Sequence, residues 1–439
     1  MDLHHDLYFA VDCDDPGKLE ALITSGVNVN AIFEDDMNIS TQTILHFCCV
    51  KGRTQCARIL VEAGANLYAR DNWGLTPLIH AVGANCTEIV ELLLANDPGL
   101  VDIQDNYGKS ALHCAVSNQF EDCIRILLKY DAYVNIQNDD GVTPTSTCCL
   151  VKDEDYDPCN ILRMLIEAGA DVNMKDGRSK RTPLQSACLT KKTDAVELLL
   201  ATGADPNTLD AAGRTPLTNL IYECIRSYHS THFIDSDVSA IMIMLIQGGS
   251  DINMMTSPES NPLIAAVSVK AAPLVSFFLE NGAEPDVKFV TGVNPLLLAV
   301  NRQDIPTVKI LLHWNCDPYI RGRIFKRRQN IEHLFDPFEL AVFERHFEIM
   351  KLMFSSGYNQ THILNLFKRK DLPSSFHADE DVMSWVQDQA SLPRSLLSLS
   401  VFAVRQVLRR RVVSDTDQLP LPTRIKDLVL LKNVLSSDE

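Results

Sequence analysis

A short helix start recurs along this chain at a nearly fixed interval, and that interval limits the fold more than any other feature of the sequence. The starts are Thr43-Ile44-Leu45, Thr76-Pro77-Leu78, Ser110-Ala111-Leu112, Thr143-Pro144, Thr182-Pro183-Leu184, Thr215-Pro216-Leu217, Asn261-Pro262-Leu263, Asn294-Pro295-Leu296 and Asp336-Pro337-Phe338. Successive spacings are 33, 34, 33, 39, 33, 46, 33 and 42 residues. A unit of that length holds a turn and two short helices, and one such pair cannot cover its own apolar face. Neighbouring units must therefore stack. The chain grows along one dimension, so its 439 residues need not divide into two or three ordinary domains.

Within a unit each residue type has a local physical role. Thr, Ser, Asn or Asp at the start can cap the free amides of the first helix. Pro at the next position has no amide to leave unsatisfied and a φ already helical. The second helix keeps a period near 3.6: Ile89, Leu92 and Leu93 share one face, as do Ile59, Leu60 and Ala63. It ends at a residue suited to a left-handed cap, Gly26, Gly64, Gly169, Gly203, Gly249 or Gly282, with Asn315 in one unit. Asn30, Asn135, Asn173, Asn207 and Asn253 then enter the hairpin that leads to the next unit.

A period near 33 with this helix start is the ankyrin signature. Residues 1–370 thus resemble an all-α ankyrin-repeat solenoid of about ten repeats, with residues 7–30 as an N-terminal cap. Three spacings are long. Extra residues lie around Lys152 to Asp157, around Arg226 to Ser236, and around Arg321 to Arg328. The first two fall between paired helices and the third falls in a hairpin. Insertions on repeat units map to loops, where tolerated drift and binding are the competing readings. The third insertion sets cations around a Phe in an otherwise acidic chain, so Arg323, Phe325, Lys326, Arg327 and Arg328 are candidates for contact with a protein target.

The net charge of −17 argues against nucleic acid, which needs clustered Lys and Arg, and equally against an anionic membrane surface. Residues Met1 to Asp6 have neither the basic start nor the apolar stretch of a secretory signal. No apolar run approaches the ~18 residues of a membrane span. The thirteen cysteines are scattered, odd in number and set mostly among apolar neighbours, as in Leu112-His113-Cys114-Ala115. They read as reduced core residues of a protein of the cytoplasm or nucleus.

The sequence offers no complete chemical site. His46, His80 and His113 read as one recurring position after the Leu of the start; spaced a repeat apart, they suit turn hydrogen bonds better than a metal. His229 and His232 lack a Cys pair that would complete a zinc site. Gly108-Lys109-Ser110 lacks the phosphate-cradling glycine, its place being taken by Ile103. No metal, cofactor or catalytic residue is expected.

After about residue 370 the periodicity stops. Residues 371–390 are polar and read as a linker. Residues 391–439 hold eight Arg or Lys against five Asp or Glu, a net of +3, which leaves −20 for the rest. Residues 392–405 form an amphipathic helix opened by Pro393, with Leu396, Leu399, Ser400, Ala403 and Val404 on one side. Leu419-Pro420-Leu421-Pro422 must be extended, because a residue before Pro is pushed out of the α region. About forty residues cannot bury much core alone, so the apolar stripe is a docking element.

This tail resembles a SOCS box over residues 391–433, and the whole chain resembles the ankyrin-repeat and SOCS-box family. In that family the box recruits elongin B and elongin C through a helix, and cullin-5 through a Leu-Pro-x-Pro motif. The resemblance implies elongin contact by Ser395, Leu396, Ser400 and Val404, with Ser400 where the family usually has Cys. It implies cullin contact by Leu419, Pro420, Leu421 and Pro422. The implied function is that of a non-catalytic substrate-recognition adaptor of a cullin-5 RING ubiquitin ligase, promoting ubiquitination and degradation of a protein target. The alternative is an ankyrin scaffold whose box no longer engages elongin.

Overall fold

The computed structural model describes residues 3–34, 41–151, 157–227, 236–255, 261–288, 291–326, 331–356, 358 and 384. Within them are twenty α-helices, two to a unit, which makes ten units. The chain divides into two compact parts: residues 1–220 with 235–250, and residues 221–234 with 251–439. In the first part the first helices Ile44–Lys51, Pro77–Gly83, Ala111–Ser117, Pro144–Leu150 and Pro183–Leu189 pack in succession. The second helices Thr54–Glu62, Thr87–Asn96, Glu121–Lys129, Cys159–Glu167 and Thr193–Ala201 do the same. The second part repeats the pattern with Pro262–Ser268, Pro295–Asn301 and Pro337–Phe343 as first helices.

The caps form as the residue types require. Thr76, Thr143, Thr215, Asn261, Asn294 and Asp336 each accept a hydrogen bond from the backbone N–H three residues on, at 3.4, 3.1, 3.2, 3.0, 2.8 and 2.8 Å. All six are buried, so each supplies a partner to an amide that water cannot reach. The expected left-handed residues after the second helices are present, from Gly64 at φ 81° to Gly203 at φ 94° and Asn315 at φ 57°. Asp131 holds the same place at φ 59° with no sequence signal to mark it. A second left-handed series closes the first helices. Gly52 is joined there by Asn85, Gln119, Lys191, Lys270, Gln303 and Arg345, at φ 56° to 67°.

Two short sheets break the all-α pattern. Strands β1 (Ile32–Glu34) and β2 (Thr41–Thr43) pair antiparallel with Ile32 opposite Thr43. Strands β3 (Gly322–Lys326) and β4 (Ile331–Phe335) pair with Gly322 opposite Phe335 and Lys326 opposite Ile331. The long hairpin read at residues 321–328 is thus a β-ribbon. The other two insertions lie between paired helices: Pro144–Leu150 and Cys159–Glu167, then Pro216–Ser227 and Ser236–Gln247.

Candidate protein-binding surface

The hairpins between units are stitched to one another by backbone. In the first part Asn106 N–H donates to the Trp73 carbonyl at 3.0 Å, Asp139 N–H to Tyr107 at 3.1 Å, and Gly177 N–H to Asp140 at 2.8 Å. The approach is so close that a Cβ at Gly108 would lie 2.6 Å from the Asp139 nitrogen. Each hairpin is also closed by its own carboxylate or amide. Asp71 Oδ1 accepts from Trp73 and Leu75 N–H at 2.9 and 2.8 Å, and Asp105 Oδ1 accepts from Tyr107 and Lys109 N–H at 2.8 Å each. The result is a fixed row of tips that carry Trp73, 39% exposed, and Tyr107, 61% exposed. Asp139 and Asp140 are exposed on the next tip. The sequence reading passed over these aromatics; their signal was a large ring between the turn Asp and the turn Gly.

The amides noted in the sequence act between units. Asn173 Nδ2 donates to the Gly203 carbonyl at 3.0 Å, and its Oδ1 accepts from Asp205 N–H at 2.8 Å. Asn135 does the same with Gly169 and Asp171, and Asn253 with Gly282 and Glu284. The hairpin reading of these residues is right, and their larger role is to hold the following unit.

The histidines divide into two roles. His46 Nδ1 accepts from Thr43 N–H at 3.1 Å, so its Nε2 carries the proton donated to the Leu75 carbonyl at 3.1 Å. His113 repeats this with Ser110 and Val142, at 3.2 and 2.9 Å. Gln185 fills the place in another unit, its Nε2 donating to the Arg214 carbonyl at 3.0 Å. Burial, with His80 nearby, lowers the His46 pKa to about 4; burial lowers that of His113 too. His80 does not share their position. It stands one residue further along its helix and meets the buried Asp71 Oδ2 at 2.9 Å. Turn and inter-unit hydrogen bonding thus occupy all three.

Eight described cysteines are buried and Cys13 is exposed. Burial raises the thiol pKa of Cys48, Cys49, Cys123, Cys149, Cys188 and Cys316, as packed thiols behave in an apolar core.

Of the candidate target residues, Arg323 is exposed on β3 opposite the exposed Leu334. Phe325 and Lys326 follow it on the same strand, at register positions facing Glu332 and Ile331. Arg327 and Arg328 lie outside the described residues. Arg321, counted among the insertion's cations, is engaged elsewhere. Its Nη2 donates to the fully buried Glu339 at 2.9 and 3.2 Å and to the Leu334 carbonyl at 2.7 Å. Ser395, Leu396, Ser400, Val404 and the 419–422 motif lie outside the described residues as well. No helix among the described residues is long and apolar enough to cross a membrane.

A family model described as ankyrin repeats (three copies) matches residues 7–102, 65–138, 99–176, 148–227 and 234–321. Ankyrin repeat and SOCS box protein 16 of Homo sapiens is 25% identical over 460 residues, covering 96% of this chain and 86% of that protein. E3 ubiquitin-protein ligase KEG of Arabidopsis thaliana is 24% identical over 272 residues, 60% of this chain but 16% of its own length. The crystal structure of the human ASB11 ankyrin repeat domain aligns at a TM-score of 0.43 and 24% identity, covering 54% of this chain and 96% of that one. Similar over nearly all of its length to a SOCS-box relative, and matched by the repeat model over most of it, the chain belongs to the ankyrin-repeat proteins.

Proposed function

We infer that the chain is a substrate-recognition adaptor: its repeats hold a protein target, and its C-terminal segment docks on elongin B, elongin C and cullin-5. The observation that carries this reading is likeness to ankyrin repeat and SOCS box protein 16 over 96% of the chain. Those motifs stand in order behind the repeats, Ser395 to Val404 first and Leu419-Pro420-Leu421-Pro422 second. On this reading residues 1–370 are the recognition array, 371–390 the linker and 391–433 the box, acting in the cytoplasm or nucleus. The chain adds no catalytic group. It holds a target lysine near ubiquitin carried by a separate conjugating enzyme, which turns a bimolecular encounter into an effectively unimolecular one.

A second reading, an ankyrin scaffold without ligase contact, is favoured by Ser400, which brings a hydroxyl where the family has Cys. Titration of purified elongin B–elongin C against the full chain separates the two. Leu396 would be the apolar anchor, and burying one Leu is worth roughly 1.5–3 kcal/mol. Leu396→Ala should therefore weaken binding about tenfold or more, and Leu396→Asp should abolish it. Ser400→Cys should strengthen it modestly. If wild type does not bind and Ser400→Cys restores nothing, the adaptor reading fails and the scaffold reading stands.

A further inference from the structure

The chain places its own cations over exposed or partly exposed aromatic rings. Lys18 Nζ stands 4.9 Å from the Phe9 ring centre, Lys51 5.2 Å from Phe47, and Lys129 5.5 Å from Tyr130. No cation among the described residues stands over Trp73 or Tyr107. These two rings occupy the same place on adjacent tips, and the next tip carries Asp139 and Asp140 instead. Asp140 already receives a guanidinium: Arg178 Nε lies 3.1 Å from its Oδ1, in a pair whose side chains are 86% and 56% exposed. So exposed a pair is weak and readily exchanged for an incoming cation.

We propose that this row, Trp73 and Tyr107 followed by Asp139 and Asp140, docks an arginine- or lysine-bearing segment of the partner protein. This rests on the reading of the repeats as a target-holding array. Ring faces and carboxylates both attract cations, and guanidinium stacks on Trp and Tyr better than ammonium does. Exposed Trp and Tyr on a fixed scaffold are the residues that most often anchor an interface. The scaffold here is fixed in advance, because backbone hydrogen bonds and close glycine contacts join the tips, so binding need not order them. Lys109 lies beside the row, and its charge spaces the partner's cations toward the rings and the Asp pair rather than between them.

The test uses the full chain and three synthetic peptides, alternating Arg-Gly, Ser-Gly and Glu-Gly, titrated at physiological ionic strength by calorimetry with tryptophan fluorescence as second readout. The Arg peptide should bind about tenfold or more tightly than the Ser peptide, and the Glu peptide should not bind. Trp73→Ala/Tyr107→Ala and Asp139→Asn/Asp140→Asn should each weaken Arg-peptide binding about tenfold, while Trp73→Phe should stay within about threefold. Glu62→Gln/Glu167→Gln removes the same charge from exposed sites on second helices and should leave binding within about twofold. Melting temperatures of all variants check that the surface changes leave the fold intact. An equal loss in the Glu62/Glu167 control, equal binding of Ser and Arg peptides, or no binding of the Arg peptide by wild type overturns the proposal. Elongin capture by the same variants should stay at the wild-type level, so failure here and failure of the adaptor reading are told apart.

Discussion

His46 shows how one buried side chain makes stability depend on pH. Its ring is fully buried, accepts at Nδ1 and donates at Nε2, and can do both only while neutral. Its pKa is about 4 in the fold against an ordinary 6.5. Above pH 6.5 both folded and unfolded chains carry the neutral ring and stability is full. Between 6.5 and about 4 the unfolded chain takes up a proton that the folded chain refuses, so stability falls with falling pH. The loss reaches about 3 kcal/mol near pH 4 and then levels off. His113, lowered in the same direction, adds to it. His46→Gln, which copies the native Gln185 of the equivalent place, should keep the bridge and flatten this part of the curve. Urea midpoints at pH 7 and pH 4.5 for both proteins check it. A slope unchanged by the substitution would show that other groups carry the acid sensitivity.

Among the elements, the helix ends are where sequence and structure agree best and also where they part. Thr76, Asn294 and Asp336 were legible because only a few side chains can cap an amide, and the cap sits beside a Pro that fixes the start. The left-handed ends of the first helices were not legible. Lys270, Gln303 and Arg345 hold them without a residue type that announces the conformation; backbone hydrogen bonds across the turn, from Ala271, Asp304 and His346 N–H to the Ala266, Ala299 and Ala341 carbonyls, fix it. That difference gives a prediction. Gly52 occupies the equivalent place natively, and Lys270 is exposed at φ 59°. Lys270→Gly should stabilise by about 0.5–1 kcal/mol, less whatever the freer unfolded chain takes back, read as a rise in melting temperature. Strand β1 was hidden for another reason: three residues are too few to show alternation. The candidate surface was legible in part. The cations of the 321–328 insertion stand out in an acidic chain. Arg321, however, belongs to Glu339, and only the fold could show that. Trp73 and Tyr107 carry no sequence signal beyond a ring before the turn Gly, and only the fold shows their exposure.

For the whole molecule, stability is a sum of units and the seams between them, so a local fault stays local. Arg321→Ala tests this in the last unit. It leaves the buried Glu339 carboxylate without its cation and should cost about 2–3 kcal/mol, below the figure for a fully buried pair because a third of the Arg321 side chain is exposed. Hydrogen exchange should quicken across Pro337–Phe343 while Pro262–Ser268 keeps its protection; loss of protection in both would mean that the units melt as one. The seams themselves differ in strength. Asn135, Asn173 and Asn253 each hold the following unit with a donor and an acceptor. Asp102 and Asp286 stand at the same step and can only accept, from Tyr133 and Asp317 N–H. Tyr68 stands there too and reaches Asp97 instead. Under tension the array is therefore a chain whose side-chain links are of unequal grade, and next to Tyr68 and Asp102 the load falls on the backbone bonds between tips, Asn106 N–H to Trp73 and Asp139 N–H to Tyr107. A pull applied at the Trp73 and Tyr107 tips would thus be carried along the chain by main-chain bonds, with few side-chain links to share it.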